Sequence, residues 1–227
     1  AAVVRVAGAP ITTTASSAGW YSLALPAGSY TVTAEYVGHR IGPAAVSVAE
    51  GQTARLDFSL EPAQTVLLVD SGAWYYESEI GYFESALDDH GYLYDLWRVK
   101  TPLQDTPVIT DLVPYDTVIW SSPFDSPGYL GAGKVISTYL DCGGNLLVSG
   151  QDLGYWESGA SGYLYAPYYR DRLKAVLLSD NAGSLQLTGS EHGPLESMAL
   201  ALNGPDSAQN QISPDSVAVD APEHAQP

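Results

Sequence analysis

From Trp20 to Leu60 the chain alternates apolar and polar positions with a period of two. Tyr30, Val32, Ala34 and Tyr36 interleave with Thr31, Thr33 and Glu35, and Ala54, Leu56, Phe58 and Leu60 with Arg55, Asp57 and Ser59. Such alternation predicts strands with one buried face. Pro26-Ala27-Gly28 and Glu50-Gly51-Gln52 interrupt the pattern at hairpin spacing, so this part reads as a small antiparallel all-β sandwich.

After Glu61-Pro62-Ala63 the pattern changes. Residues 65–69 form one β-branched and leucine run that ends in Asp70, as expected of a strand covered on both faces in a parallel sheet. Tyr76, Ile80, Phe83 and Leu87 then fall on one helical face, closed by Asp89-His90-Gly91 with its left-handed glycine cap. Residues 94–99 read as strand, 111–114 as a short turn, 117–120 as strand and about 132–140 as helix. A Gly143-Gly144 break and a strand over 145–149 follow. Strand alternating with helix at ordinary loop lengths implies right-handed crossovers and a doubly wound parallel sheet. Further on, the pattern predicts a helix over 163–178 entered through Pro167 and a strand over 185–187. Residues 189–227 are polar, without a clear period.

The strand over 145–149 runs into Gly150-Gln151-Asp152-Leu153-Gly154. A strand that breaks into a G-x-nucleophile-x-G turn lifts one side chain above the sheet, because glycine tolerates the strained backbone and leaves room beside the reactive atom. Here that side chain is a carboxylate, a weak nucleophile towards amides at ordinary pKa.

At 227 residues and 24.1 kDa the chain suffices for two modest domains, each with its own core. Nine Lys and Arg stand against 26 Asp and Glu, a formal charge of -17, which argues against nucleic acid and anionic membrane surfaces as partners. No run is long enough to span a bilayer. After Lys174 no Lys or Arg occurs, while Asp180, Glu191, Glu196, Asp206, Asp215, Asp220 and Glu223 fall there. This gives solubility or, if the oxygens cluster in space, calcium binding. Cys142 is the single cysteine, which rules out an intrachain disulfide and a thiolate metal cluster. It precedes the last sheet strand, at the end opposite the turn, and reads as a small filler at a helix end.

Residues 19–34, Gly19-Trp20-Tyr21-Ser22-Leu23-Ala24-Leu25-Pro26-Ala27-Gly28-Ser29-Tyr30-Thr31-Val32-Thr33-Ala34, carry the pattern G-x-Y-x-L-x-L-P-x-G-x-Y-x-V-x-A. With Gly38-His39, Val46, Val48, Gly51-Gln52-Thr53 and Leu56-x-Phe58-x-Leu60, residues 1–62 resemble the carboxypeptidase regulatory-like module. That family is a transthyretin-type, carbohydrate-binding-like β-sandwich, and the resemblance implies an accessory module in a secreted or surface protein, without catalysis.

The quoted segments of the next part are Val66-Leu67-Leu68-Val69-Asp70, Gly91-Tyr92 with Tyr94-Asp95-Leu96-Trp97, Tyr115-Asp116-Thr117-Val118-Ile119-Trp120, and Tyr139-Leu140-Asp141-Cys142-Gly143-Gly144-Asn145-Leu146-Leu147-Val148-Ser149-Gly150-Gln151-Asp152. They resemble the class I glutamine amidotransferase-like, flavodoxin-like domains found after the catalytic domain in bacterial secreted subtilisin-like serine proteases. The resemblance covers residues 64–156. Where a working amidotransferase has its cysteine this chain has Asp152, and only His192 and His224 follow, so a degenerate domain is implied. A full domain of this kind would need a final strand and helix, which makes 191–227 a polar acidic extension or an incomplete end of the α/β domain at 63–190.

Ligands of an open parallel sheet bind beyond the carboxyl ends of its strands. Asp70, Ser121, Ser122, Gln151 and Asp152 all follow strands and are expected to gather there, as a small-ligand or cation pocket with Asp70 and Asp152 as paired carboxylates. The plainer alternative is that they cap helices and hold loops. Trp74-Tyr75-Tyr76, Tyr155-Trp156, Tyr163, Tyr165 and Tyr168-Tyr169 could line a sugar or peptide groove, with Trp74, Tyr155 and Trp156 nearest the turn, or could anchor loops and core. The expectation for the whole is a non-catalytic accessory or binding fragment of a secreted bacterial hydrolase, extracellular or at the cell surface. Its partners would be other domains of the same polypeptide, a polysaccharide or a peptide; no cofactor is expected unless calcium. The alternatives are an amidotransferase-like hydrolase using Asp152, and a carbohydrate- or calcium-binding module. No Gly-x-Ser-x-Met-Ala motif of a subtilisin is present.

Overall fold

A computed structural model describes residues 1–75, 78–162, 166–191, 193, 195–205 and 207–220. Tyr76, Tyr163, Tyr165, His192, Asp206, Glu223 and His224 lie outside the described residues. The chain divides into two compact units, Ala1–Val66 with Phe83–Asp95, and Leu67–Tyr82 with Leu96–Pro227.

In the first unit β1 (Val3–Val6), β2 (Thr12–Thr14), β3 (Gly28–Glu35) and β4 (Gly42–Val48) form an antiparallel sheet in the order β2-β1-β3-β4. The period-two pattern sets its two faces: Tyr30, Val32 and Ala34 oppose Val46, Ala44 and Gly42 across the β3–β4 ladder. Val4, Val6, Val32 and Ala34 form the buried centre. Residues 20–25 and 54–60, both expected as strands, join no ladder in the structure. They lie extended over the sheet and still present every second residue to it, namely Tyr21, Leu23, Leu25, Leu56, Phe58 and Leu60. Alternation records which face is buried, whereas a ladder also requires a neighbouring main chain in register.

The second sheet contains β5 (Val66–Asp70), β6 (Tyr94–Arg98), β7 (Thr117–Ser121) and β8 (Asn145–Ser149), in the order β6-β5-β7-β8. β7 and β8 run parallel, from Thr117 opposite Asn145 to Ser121 opposite Ser149. Every residue of β5 is buried, as its unbroken apolar run requires, while edge strand β8 alternates exposed and half-buried positions. Its connections hold α1 (Ile80–Asp89), α2 (Ile109–Leu112) and α3 (Gly133–Asp141). The end of α1 closes as expected: Gly91, at φ 69°, donates its N–H to the Asp88 carbonyl and Tyr92 donates to Leu87. Trp120, Leu67, Val69, Val118, Leu112, Leu130, Ile136 and Tyr139 build the core of this unit.

Beyond the turn at 150–154 the structure departs from the pattern. α4 (Leu153–Glu157) and α5 (Pro167–Asp171) are short, and the helix expected over 163–178 ends at Asp171. Lys174 takes φ 57° and the chain continues as β9 (Ala175–Ser179), paired with β12 (Ser216–Val219). The run Ala175-Val176-Leu177-Leu178 fits either periodicity; a strand partner from far along the chain decides it. The polar segment also supplies strands, since β10 (Gln186–Thr188) pairs antiparallel with β11 (Ala199–Ala201). Arg170 closes the β9–β12 region by a two-pronged ion pair with Asp220, 2.8 and 3.3 Å. Among the described residues no helix is long and apolar enough to cross a membrane.

Ile136, a fully buried residue of α3 in the same core cluster as Trp120, gauges the core of the second unit. Ile136→Ala is expected to lower stability by about 2–5 kcal/mol, read as a lower urea midpoint with an unchanged slope.

Candidate functional site at the carboxyl edge of the parallel sheet

The carboxyl ends of β5, β7 and β8 deliver Asp70 and Ser71, Ser121 and Ser122, and Gln151 and Asp152 to one edge. In this strand order the crevice open to ligands lies between β5 and β7, where successive connections leave in opposite directions. Internal hydrogen bonds close it. The Ser71 hydroxyl lies 2.8 Å from the Ser121 carbonyl, 3.0 Å from the Ser122 hydroxyl and 2.8 Å from Asp125 Oδ1. The Trp74 indole N–H donates to Asp125 Oδ2 at 2.8 Å. Ser71, Ser122 and Asp125 are inaccessible to solvent. Burial pushes the Asp125 carboxyl up to about 6, against the lowering effect of hydrogen bonds from Trp74, Ser71 and Ser122.

Gln151 is committed to main chain on every side. Its amide nitrogen donates to the carbonyls of Pro123 (3.1 Å) and Asn210 (3.2 Å), and its Oε1 accepts from the N–H groups of Ile212 (2.7 Å) and Ser213 (3.4 Å). The Gln151 carbonyl in turn accepts the Asp215 N–H at 2.8 Å. One side chain thus bolts residues 210–215 onto the turn.

The turn itself differs from a strained elbow. Asp152 has φ -115°, ψ 24°, in the ordinary half of backbone space, and stands at the N-cap of α4 without a side-chain capping bond. The glycines serve close approach: a Cβ on Gly150 would meet the Ser122 carbonyl oxygen, and one on Gly154 would lie 2.7 Å from the Tyr169 hydroxyl. The capping role falls to Asp215, whose Oδ2 accepts the Tyr155 N–H at 3.0 Å.

The structure places Asp152 beside Asp215 and Asp180, with one carboxylate oxygen of each within 4.8 Å of the others. Burial and then the charges of Asp215 and Asp180 push the Asp152 carboxyl up to about 6, and its Oδ1 receives the Ser213 hydroxyl at 3.4 Å. Three hard oxygen donors are the kind of set calcium takes, though fewer than the six to eight it usually collects. Asp70 stands apart from that trio: it is fully buried, its Oδ2 accepts the Ser78 hydroxyl at 2.6 Å, and Arg98 Nε lies 3.8 Å away.

Of the aromatic candidates, Trp74, Tyr155 and Trp156 are brought into one chain of rings through Tyr129. Centroid separations are 6.3 Å for Trp74–Tyr129, 4.7 Å for Tyr129–Trp156 and 5.5 Å for Trp156–Tyr155. The rings pack on one another, and Trp74 also lies against Tyr75 at 3.7 Å. Two residues that sequence reasoning passed over complete the edge. Asp125 lies in the loop after β7, and Glu157 ends α4. Glu157 is fully buried, with Oε1 accepting the Gly128 N–H at 2.7 Å and the Tyr168 hydroxyl at 2.6 Å. Burial raises its pKa above the usual carboxylate value. Cys142 is exposed beyond the last turn of α3, before β8 begins.

Residues 1–61 match the carboxypeptidase regulatory-like domain family. Neither a curated protein nor a solved structure matches the chain. The carboxypeptidase regulatory-like domain contributes none of the residues at the sheet edge, which all belong to the second unit.

Because Asp125 holds its proton more tightly folded than unfolded, its contribution to stability is complete below about pH 4 and is lost as pH rises through about 6. The rise of Asp125 from the ordinary carboxylate value to about 6 corresponds to about 3 kcal/mol. Asp152 and Glu157 shift in the same direction. Unfolding midpoints should therefore fall between pH 4 and 7, and the fall should be shallower in Asp125→Asn.

Proposed function

We propose that this chain is a non-catalytic accessory segment of a secreted bacterial hydrolase, most closely a subtilisin-like serine protease. A carboxypeptidase regulatory-like β-sandwich and a degenerate amidotransferase-like domain would act in it as binding and spacing elements. The observation that carries the reading is the state of Gln151: the side chain beside the turn, where a reacting group would need freedom, is spent on four main-chain partners. The hydrogen-bonded crevice at Ser71, Ser122 and Asp125 supports it, since a site filled by its own side chains offers no room for substrate at the place where such sheets bind ligands.

The flavodoxin-like assignment draws support from the order β6-β5-β7-β8, which numbered along this sheet is 2-1-3-4, the beginning of the flavodoxin-like order. The parent hydrolase and export rest on the resemblance of residues 64–156 to domains that follow secreted protease domains, and on the regulatory-like module at 1–61. In this reading Asp152 holds the sheet's end through Ser213, and Asp215 caps α4.

The purified chain is expected to release no product from amide, ester or glycoside substrates, with Asp152→Asn indistinguishable from it. Turnover by the wild type that disappears in Asp152→Asn would sink the reading in favour of an Asp152-dependent hydrolase. Gln151→Ala, by contrast, is expected to cost about 1–3 kcal/mol and to open residues 210–215 to limited proteolysis, visible as a new early cleavage fragment.

A further inference from the structure

Three acidic side chains meet beside the turn at 150–154 because of where their strands end. Asp180 directly follows β9 and Asp215 directly precedes β12, and Ser179 pairs with Ser216 in that antiparallel ladder. The two aspartates therefore stand opposite each other just beyond the ladder's last pair, an arrangement in which like charges destabilise a sheet. Asp152 adds a third carboxylate, with one oxygen of each within 4.8 Å of the others. Among the described residues no basic side chain forms an ion pair with any of the three. Arg170 is held by Asp220 and Arg172 by Asp141, and after Lys174 the chain has no Lys or Arg.

Two buried oxygens at the same place have no hydrogen-bond partner. Asp215 accepts the Tyr155 N–H on Oδ2 at 3.0 Å, while its Oδ1 is buried and unpaired. Tyr169 is only 5% exposed, and its hydroxyl is also buried and unpaired. That hydroxyl is aimed at the acids: it and Asp215 Oδ2 stand 2.7 and 3.0 Å from the point that a Cβ on Gly154 would occupy. After burial, the charge that acts most on Tyr169 is that of Asp215. A buried oxygen without a partner is costly and uncommon. Two of them, each with lone pairs to give and both beside three carboxylates, call for a positive group that the chain does not supply.

The chemistry of the donors selects the ion. All are oxygens, with no His or Cys among them, which sets zinc and copper aside. Magnesium demands near-ideal octahedral geometry and is usually held through one or two carboxylates. Calcium accepts irregular carboxylate sets at about 2.3–2.6 Å, so oxygens on opposite sides of it stand about 5 Å apart. The 4.8 Å limit of the trio falls within that reach. A lysine ammonium from another chain would offset one of the three charges, whereas a divalent ion offsets two. We propose that Asp152, Asp180 and Asp215 bind one calcium ion, with Asp215 Oδ1 as a direct ligand and the Tyr169 hydroxyl facing the ion's coordination shell. Waters on the exposed Asp180 side complete the shell. The ion joins the turn after β8 to the segment at 210–215, which Gln151 also links. The site rests on neither the parent hydrolase nor export.

The test uses the intact 227-residue chain, freed of metal by a chelator and titrated calorimetrically with calcium chloride and then magnesium chloride. Salt at about 0.15 M screens loosely held counterions. One calcium site with a Kd on the order of 0.1–1 mM is expected, with magnesium at least about tenfold weaker. Asp180→Asn, at an exposed position, should weaken calcium binding at least about tenfold without lowering the unfolding temperature in chelator, since it removes a ligand and a like-charge contact together. Glu191→Gln, an exposed acid outside the trio, should leave binding unchanged. Calcium at about 10 mM should raise the unfolding temperature of the wild type more than that of Asp180→Asn. Four results would overturn the proposal: no calcium binding, unchanged affinity in Asp180→Asn, an equal loss in Glu191→Gln, or magnesium bound as tightly as calcium.

Discussion

The second unit depends on the sealing of its sheet edge by buried polar side chains. A parallel sheet leaves the carboxyl ends of its strands facing one way, and loops that leave those ends carry main-chain groups needing partners. Here the partners are internal. Gln151 binds the carbonyls of Pro123 and Asn210 and the N–H groups of Ile212 and Ser213, so the loop after β7, the turn after β8 and the late segment at 210–215 meet at one carboxamide. Removing it would leave several loops without anchor at once. The polar segment that follows β9 owes its placement to that contact and to the β9–β12 pairing.

Burying carboxylates in this edge has a consequence for charge. Asp70, Asp125 and Glu157 are all inaccessible to solvent, and burial raises Asp125 and Glu157 above ordinary carboxylate values despite hydrogen bonds to each. Such groups are tolerable because serine hydroxyls, the Trp74 indole, the Gly128 N–H and the Tyr168 hydroxyl are aimed at them. They link loops more than they strengthen the fold, since a buried charged group repays its desolvation only when its partners are well placed. In a chain of charge -17 the raised carboxyls of Asp125 and Glu157 bias the folded state towards mild acidity.

Much of the architecture was legible along the chain. β5 reads from its unbroken apolar run and the antiparallel sheet from its alternation. The helix over 133–141 and its glycine break read from spacing, and the gathering of Asp70, Ser121, Ser122, Gln151 and Asp152 at one edge follows from their places after strands. What failed shares one cause. Residues 20–25 and 54–60 alternate like strands but lack a paired neighbour, while Ala175-Val176-Leu177-Leu178 fits helix and strand alike until Ser216–Val219 arrives. Asp125 and Glu157 left no signal, and Asp215 only that of one acid among the seven after Lys174, because each is an ordinary polar residue in a loop, short helix or tail whose importance comes from what surrounds it.

By itself, the order of apolar and polar residues determined two kinds of layer, where each strand's buried face lies, and that a glycine-flanked turn carries a carboxylate at a sheet's end. Those are local properties, set by periodicity and by the conformations glycine permits. Tertiary structure decided that the turn is unstrained at Asp152, that Gln151 is consumed by residues 59 to 62 positions further on, and that Asp152 meets Asp180 and Asp215 rather than Asp70. Each of these depends on segments distant in sequence arriving at one point, and hydrogen-bond partners, burial and the electrostatic environment exist only once they have arrived.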